Sequence, residues 1–585
     1  MPHALKPKGD APSKDKPYAV WDIETANWTR FLICGLYDGS RFETFTSLTT
    51  FLKHIVDKYP TWDFFAHFGG RFDHLFLFKE FIVNFYRLRH GNAKVWEIED
   101  MIPRGSGLYS FKVLHKPTDK WVRFFDSSAI LPFGLRRLTE NFKVEHPKQE
   151  IDYTKITKVT PKLVRYLEYD CKGLYECIQK FYQWPIIKKA GPAKSLASQS
   201  LKVLQTYLES PIYGFSQKLD RKIRPAYFGG RTEIFRLLFH SKKGERLNCY
   251  DVNSLYPYVM SENEYPNEYL GKSHVYSKND FGFWHCQVDV PKGLYVPPLG
   301  IVHRGKFMFP TGKFPAFITT PEVEYCRSLG CRVEVLHGHV FSNGGKFFRP
   351  FIKALYRIRE KSESGSVDNT LSKLLMNSSY GRFGLRFDRE QFVIDNGALG
   401  LRSTVAPIEF TVDGVIYRLM IKEVDFDGFS NVAIAAYVTA YARIHMHKLL
   451  TACGADIYYT DTDSLFTTRE IATSNSLGDV KFEYSCTSAV FLLPKTYANE
   501  KKIVMKGFDK KKISDFTLED FEASLRGDMK RLKILEEPRF QTFRKALRSG
   551  ELVSMSKGGI RQLRSQYDKR VVLNDYNTRP HHIGE

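Results

Sequence analysis

Apolar and polar positions alternate along the chain in a way that marks out its elements. Tyr18-Ala19-Val20-Trp21 is an apolar strand leading into Asp22-Ile23-Glu24-Thr25. The period of two puts Asp22 and Glu24 on one strand face. Trp62 to Ala66 and Val122 to Ser127 read as further strands, and Gly69-Gly70-Arg71-Phe72-Asp73 as a loop-to-helix junction. From Leu163 to Tyr182 the period becomes helical, with Tyr166 and Asp170 on one face. Pro185, Gly191-Pro192, Pro211 and Pro225 punctuate a connecting stretch. Further on, Tyr250-Asp251 runs from an apolar residue into a turn, and Lys373 to Gly381 reads as a helix closed by its glycine. Phe392-Val393-Ile394 and Val415 to Leu419, around Asp413-Gly414, predict a β-hairpin. Ile457-Tyr458-Tyr459, Thr460-Asp461-Thr462-Asp463-Ser464 and Leu465-Phe466 predict strand, tight turn, strand.

Composition bounds the rest. The 585 residues suffice for several domains, and 43% hydrophobic with 15% aromatic content fits a well-buried globular protein. Lys and Arg number 87 against 65 Asp and Glu, a net charge of +22. A polyanionic partner is the direct reading, though basicity alone does not identify nucleic acid. From 501 to 585 there are 20 Lys/Arg against 12 Asp/Glu, net +8, either a surface that grips phosphates or a solvated helical face. The nine cysteines include no CxxC pair, so no zinc or iron–sulfur site and a reducing compartment are expected. No apolar run reaches membrane length, and the best candidate, Asn431 to Leu450, contains Arg443, His445, His447 and Lys448. Residues 1–17 are Lys/Pro-rich without an apolar core and are expected to be a disordered basic tail rather than a signal peptide. The expected location is the host cytoplasm or nucleoid, with an organelle left open.

Two groups of acids carry candidate chemistry. Asp461 and Asp463 lie two apart without a basic neighbour, an arrangement that is costly unless a cation sits between them. A plain Asx-type turn with solvated acids is the alternative. Asp22, Glu24, Asp73 and Asp170 come from separated elements, as two-metal phosphodiester cleavage requires, and Tyr166 is a candidate to orient the attacking water. Taken singly, each acid reads equally as a surface charge or helix cap.

Three motifs then stand in order: Asp251-Val252-Asn253-Ser254-Leu255-Tyr256-Pro257, Lys373-Leu374-Leu375-Met376-Asn377-Ser378-Ser379-Tyr380-Gly381 and Tyr459-Thr460-Asp461-Thr462-Asp463-Ser464. The ordered triple resembles the family B DNA polymerases. Asp22-x-Glu24, Phe72-Asp73 and Tyr166-x-x-x-Asp170 resemble the 3′–5′ exonuclease domain that precedes the polymerase in that family. Tyr227-Phe228-Gly229-Gly230 is similar to a template-binding Tyr-x-Gly-Gly motif, and Lys495-Thr496-Tyr497 to a Lys-x-Tyr motif that meets the primer end. Long spacers at about 262–350 and 385–430 resemble the insertions of the protein-primed branch of phages and linear plasmids. There the first contacts a terminal protein and the second encircles DNA. Ordinary surface insertions are the alternative.

The resemblance implies an α/β and α+β multidomain fold. An RNase H-like exonuclease domain (18–185) and a connecting region (186–245) precede a right-hand polymerase of palm and fingers (246–498) and thumb or C-terminal region (499–585). It implies a DNA-directed DNA polymerase extending a primer 3′-hydroxyl, and a terminal-protein hydroxyl at initiation, on a linear viral or plasmid genome, with 3′–5′ proofreading. Asp251, Asp463 and the Val252 carbonyl would bind metal, with Asp461 adding charge. Lys361 and Lys373 would meet the triphosphate, and Tyr256 would exclude a 2′-hydroxyl. Asn377 and Tyr380 would line the nascent base pair. Tyr227, Gly229, Gly230, Lys495 and Tyr497 would contact DNA. Two Mg²⁺ per active site are implied, with Mn²⁺ as an alternative. Implied partners are template and primer DNA, dNTPs and a terminal protein, with a single-strand-binding protein left open, no membrane, and a monomeric enzyme. A conventionally primed family B polymerase and a catalytically idle DNA-binding replication factor are the rival readings. One departure stands out. Phe68 occupies the position where the family carries an Asn that holds the primer end. Editing is then weakened, or His67 stands in.

Overall fold

The computed structural model describes residues 4–9, 16–80, 96–105, 107–242, 244–386, 388–395, 408–412, 415–425, 429–508, 510–528, 531–549, 551, 553–555, 558–563 and 566–584. Three strands, Tyr18–Ala26, Asp63–Ala66 and Lys120–Asp126, run parallel at the centre of the first sheet. Both of its faces are covered, which explains their near-continuous apolar character. Trp21, Phe64 and Phe124 pack under the helices Leu48–Lys58 and Asp73–Glu80. Val20, Phe65 and Phe125 pack under the helix Pro161–Gln183. Thr160 caps that helix by accepting from Leu163 N, and Pro161 begins it without a donor to lose.

The sheet continues beyond this domain. Its order is Ile408–Val412, Val415–Asp425, Asp388–Asp395, Trp96–Arg104, Gly107–His115, Lys120–Asp126, Asp63–Ala66, Tyr18–Ala26, Arg30–Tyr37, Phe42–Phe45. The second insertion is therefore a hairpin with a third strand, joined edge to edge to the first domain. The Asp413-Gly414 turn lies outside the described residues.

A second sheet carries the acid hairpin. Its antiparallel order is Thr232–Ile234, Ile457–Asp461, Ser464–Thr467, Leu247–Val252, Val480–Cys486. The helix Val432–Cys453 lies in the main core, with Ile434 through Val438 fully buried. This burial accounts for the apolar run at 431–450. Among the described residues no helix is long and apolar enough to cross a membrane. The helices Arg349–Lys361 and Val367–Phe383 pack together beside it. The first insertion supplies four strands of a five-stranded sheet, Pro266–Ser273, Arg332–Asn343, Phe281–Val290 and Thr311–Thr319, and His582–Ile583 from the end of the chain is the fifth. All nine cysteines are buried and unbridged.

Four expectations change. Within the tail read as disordered, Ala4–Leu5 forms a strand against Ile212–Tyr213, because Leu5 finds a buried apolar seat there. The connecting region ends early, since Thr232–Ile234 and Leu238–His240 are sheet strands beside Ile457–Asp461 and Ser488–Leu493. Gly381 does not close its helix, which runs on to Phe383 and ends at Gly384; a Cβ at Gly384 would lie 2.8 Å from the Tyr227 ring. The 499–585 region divides. Its last part returns to the acid sheet, where Arg570 pairs with Glu233 at 3.2 Å and Glu233 also pairs with Arg231. Arg570, Glu233 and Arg231 are all buried.

Candidate active sites

The first centre is built on the acid hairpin. Asp251 lies near the end of its strand and pairs in register with Ser464. Asp461 ends the strand Ile457–Asp461 on the far side of Ser464–Thr467, and Thr462-Asp463 make the turn, with Thr462 at φ 67°. Asp463 N donates to Asp461 O and Val252 N to Asp463 O, each at 2.8 Å. Thr462 N donates to Arg231 O at 2.8 Å. Gly230 abuts this turn, and a Cβ there would stand 2.8 Å from Thr462 Cγ2 and 3.2 Å from the Tyr256 hydroxyl. Glycine is required by that approach. Gly229 has open space around it, and Tyr227 packs against Gly384.

The charges here are unbalanced. Burial, then the charges of Asp463 and Glu483, push the Asp251 carboxyl up to about 7, against the opposing pull of Lys373 and Lys481. Burial also raises Asp463, with Asp461 adding to the rise and Lys495 and Lys373 opposing it. Lys495 Nζ meets Asp461 at 2.7 Å. Lys373 and Asn377 are exposed four apart on one helix face, and Lys361 is exposed at the end of the adjacent helix. Tyr256 stacks on Tyr380 with ring centroids 4.6 Å apart. Tyr497 is mostly buried, 5.5 Å from the Tyr459 ring, and lines the cleft over the acids. A cleft of about 1210 Å³ opens over the three acids, walled by Lys501, Lys502, Lys506 and Lys510.

The second centre is enclosed. Asp22, Glu24 and Asp170 each bring one oxygen within 4.8 Å of the others. Asp73 heads its helix and accepts from Ile23 N at 3.2 Å. Its carboxyl shares a hydrogen bond with that of Asp22. Lys148 Nζ donates to the Tyr166 hydroxyl and to the Asp170 carboxylate. The Tyr153 and Tyr166 hydroxyls are 2.7 Å apart. Burial, then the charges of Asp22 and Asp170, lift Glu24 well above the carboxylate range. Burial raises Asp170 to about 7 even though Lys148 opposes the rise. The second Asp170 oxygen is buried without a partner.

Both donor sets are hard oxygens whose charges are penalised by burial, and they fit Mg²⁺ or Mn²⁺. At the enclosed centre the three converging oxygens and the unpartnered Asp170 oxygen make that fit specific.

His67 is fully engaged, with Nδ1 2.9 Å from the Ser127 hydroxyl and Nε2 2.7 Å from Phe133 O. Burial lowers it to about 4. With both nitrogens used inside the domain, His67 does not replace the missing Asn. Phe68 is 42% exposed with φ 55°.

The sequence pattern of the family described as DNA polymerase type B, organellar and viral, matches residues 155–453. The chain belongs to this family. A probable DNA polymerase of Neurospora intermedia is 28% identical over 393 residues, 61% of this chain and 40% of the relative. The DNA polymerase of Bacillus phage phi29 is 26% identical over 461 residues, 72% of this chain and 74% of the relative. The chain spans 40, 39 and 37% of the length of its relatives from Neurospora intermedia, Podospora anserina and Ascobolus immersus. A solved phi29 DNA polymerase complexed with primer-template DNA superposes with a TM-score of 0.71 at 20% identity, over 94% of this chain and 100% of that one. The fold is thus the expected exonuclease domain followed by a right-hand polymerase.

Several residues of this type B polymerase fold escape the motif reading. Lys148 and Tyr153 sit in the irregular stretch between the helices Leu135–Phe142 and Pro161–Gln183, so no periodicity marks them. Glu483 faces Asp251 from the neighbouring strand, and only the strand pairing reveals it. The Arg231–Glu233–Arg570 group lies beneath the acid hairpin, joined across 337 residues.

Proposed function

We propose that this chain is a DNA-directed DNA polymerase with 3′–5′ exonuclease activity, of the protein-primed type that replicates linear viral or plasmid genomes. The observation that carries the reading is the raised, paired carboxyls of Asp251 and Asp463 at the floor of a lysine-walled cleft. Asp251, Asp463 and the Val252 carbonyl would hold divalent cations, as would Asp22, Glu24, Asp73 and Asp170. Such ions, when bound, neutralise phosphate charge and lower the pKa of the attacking oxygen.

The chain's own residues do the rest. Lys373 and Lys361 draw the triphosphate to the finger helices as point charges. The stacked Tyr256 and Tyr380 form a flat floor beside Asp463 that fits a deoxyribose and crowds a 2′-hydroxyl. Lys501, Lys502, Lys506 and Lys510 attract the backbone of primer and template without reading sequence. At the enclosed centre Tyr166, held by Lys148 and Tyr153, positions the water that attacks the terminal phosphodiester. The sheet module at 262–350 supplies a surface for the terminal protein, whose Ser, Thr or Tyr hydroxyl is the first primer.

The test is transfer of labelled dNTP to candidate terminal proteins encoded beside this gene, with Mg²⁺ and an origin-end duplex, and Asp463→Ala as control. A labelled protein band that disappears in the variant supports protein priming. Extension of a primed oligonucleotide without any protein band replaces it with a conventionally primed enzyme. Inactivity in both assays returns the chain to DNA binding alone.

A further inference from the structure

The turn between the strands Tyr18–Ala26 and Arg30–Tyr37 contains a residue that its geometry disfavours. Asn27 has φ 52° and Trp28 φ 64°, and Thr29 N donates to Ala26 O at 3.3 Å. Positive φ at both central positions is the type I′ pattern, for which Asn followed by Gly is preferred. A bulky side chain in this region is a strained choice. Burial does not offset the strain, because Trp28 is 45% exposed. Its position is distinctive instead. The indole lies 5.0 Å from the Tyr153 ring, tilted by 31°, and meets the edge of Phe72 at 6.3 Å. Tyr153 bonds to Tyr166, and through Tyr166 the network reaches Lys148 and Asp170. Glu24, one of the converging acids, lies four residues back on the strand that leads into this turn. The open face of Trp28 therefore stands at the mouth of the enclosed centre, one ring away from its hydroxyl network.

We propose that Trp28 is a stacking platform for the terminal base of a single-stranded DNA 3′ end entering the exonuclease centre. This rests on the exonuclease reading given above. Stacking of a base on an aromatic face is tolerant of sequence, as an editing site that receives any mispaired end requires. Tyr153 backs the indole and ties its placement to Tyr166, so the terminal base and the attacked phosphate are held by one connected group.

The test compares wild type with Trp28→Gly, which the turn accommodates, and Trp28→Phe, which keeps a ring. An oligothymidylate carrying 2-aminopurine at its 3′ end is titrated in EDTA, where no hydrolysis occurs. Its hydrolysis is then followed in Mg²⁺. The platform is expected to quench the 2-aminopurine in wild type and in Trp28→Phe but not in Trp28→Gly. In Trp28→Gly the half-saturating oligonucleotide concentration should rise about tenfold with kcat within about twofold, and the melting temperature should be unchanged or higher. Unchanged quenching and half-saturation in Trp28→Gly overturn the proposal. So does a fall in melting temperature and kcat together, which marks a purely structural tryptophan. A wild type that hydrolyses nothing yet shows the Trp28-dependent quench sustains the platform and removes the exonuclease reading instead.

Discussion

At the enclosed centre Lys148 already sits among the acids, bonded to Asp170 and Tyr166. At the open centre Lys495 pairs with Asp461, while Asp251 and Asp463 face the cleft. The enclosed centre draws its acids from three separate elements and balances part of their charge internally. The open centre draws its acids from two strands of one sheet and one turn, and leaves the balance to what binds there. Rigid support therefore comes from different sources. At the enclosed centre it is a side-chain network; at the open one it is the backbone, with the turn held by Arg231 O and backed by Gly230.

The contrast is broken most directly by removing one acid at a time. Asp463→Asn should lower nucleotide incorporation by about a thousandfold, with hydrolysis of single-stranded DNA within about twofold of wild type. Asp22→Asn should do the reverse, and primer-extension and degradation assays on both variants read the outcome. Loss of both activities in either variant would show that the centres are not independent.

Next in size is Lys148→Met, which should slow 3′–5′ hydrolysis by about a hundredfold and leave incorporation unchanged. The Lys148 charge opposes the rise of Asp170, so its removal should move the acidic limb of the hydrolysis profile to higher pH. A pH–rate profile that only falls in height, without moving, would confine Lys148 to holding Tyr166.

A third prediction concerns protons rather than catalysis. The folded Asp251 carboxyl lies at about 7 against an ordinary 3.8, so the folded chain holds this proton more tightly than the unfolded chain does. Without divalent ions, stability should decline as pH rises from about 4 to about 7. Mg²⁺, which needs the deprotonated form, should then raise the melting temperature more at pH 8 than at pH 6. Calorimetry of wild type and Asp251→Asn checks both, since the variant should lose the share due to the open centre.

The smallest expected effect is that of Phe68→Asn. Asn suits a positive φ far better than Phe, so the variant should gain about 1 kcal/mol in stability. It should also hydrolyse a 3′ single-stranded primer faster, by a few-fold. Chemical denaturation and a degradation assay read the two arms, and no gain in hydrolysis would show that editing is not limited at this position.

What the sequence made legible was local. The Asp22/Glu24 strand, the Tyr166/Asp170 helix and the Asp461/Asp463 hairpin each lie within one periodic stretch, and each forms as its period predicts. What stayed hidden was assembled across distance. Lys148 and Tyr153 come from a stretch without periodicity and acquire meaning only when the chain folds over Asp170. The Tyr-x-Gly-Gly motif was read as a DNA contact, yet Gly230 has a second reason to be glycine, the close approach of Thr462. The return of residues 566–584 to the palm left no sequence sign, because its anchors are single residues such as Arg570 and Thr578.

That return has a consequence for synthesis. Glu233 is buried between Arg231 and Arg570, and the second arginine follows it by 337 residues. At a ribosomal pace of ~5–20 residues per second, roughly 20 to 70 seconds separate the emergence of the two partners. Through that interval the strand beneath the acid hairpin lacks half of its charge support. The acid sheet therefore reaches its final form only after Arg570 has been made.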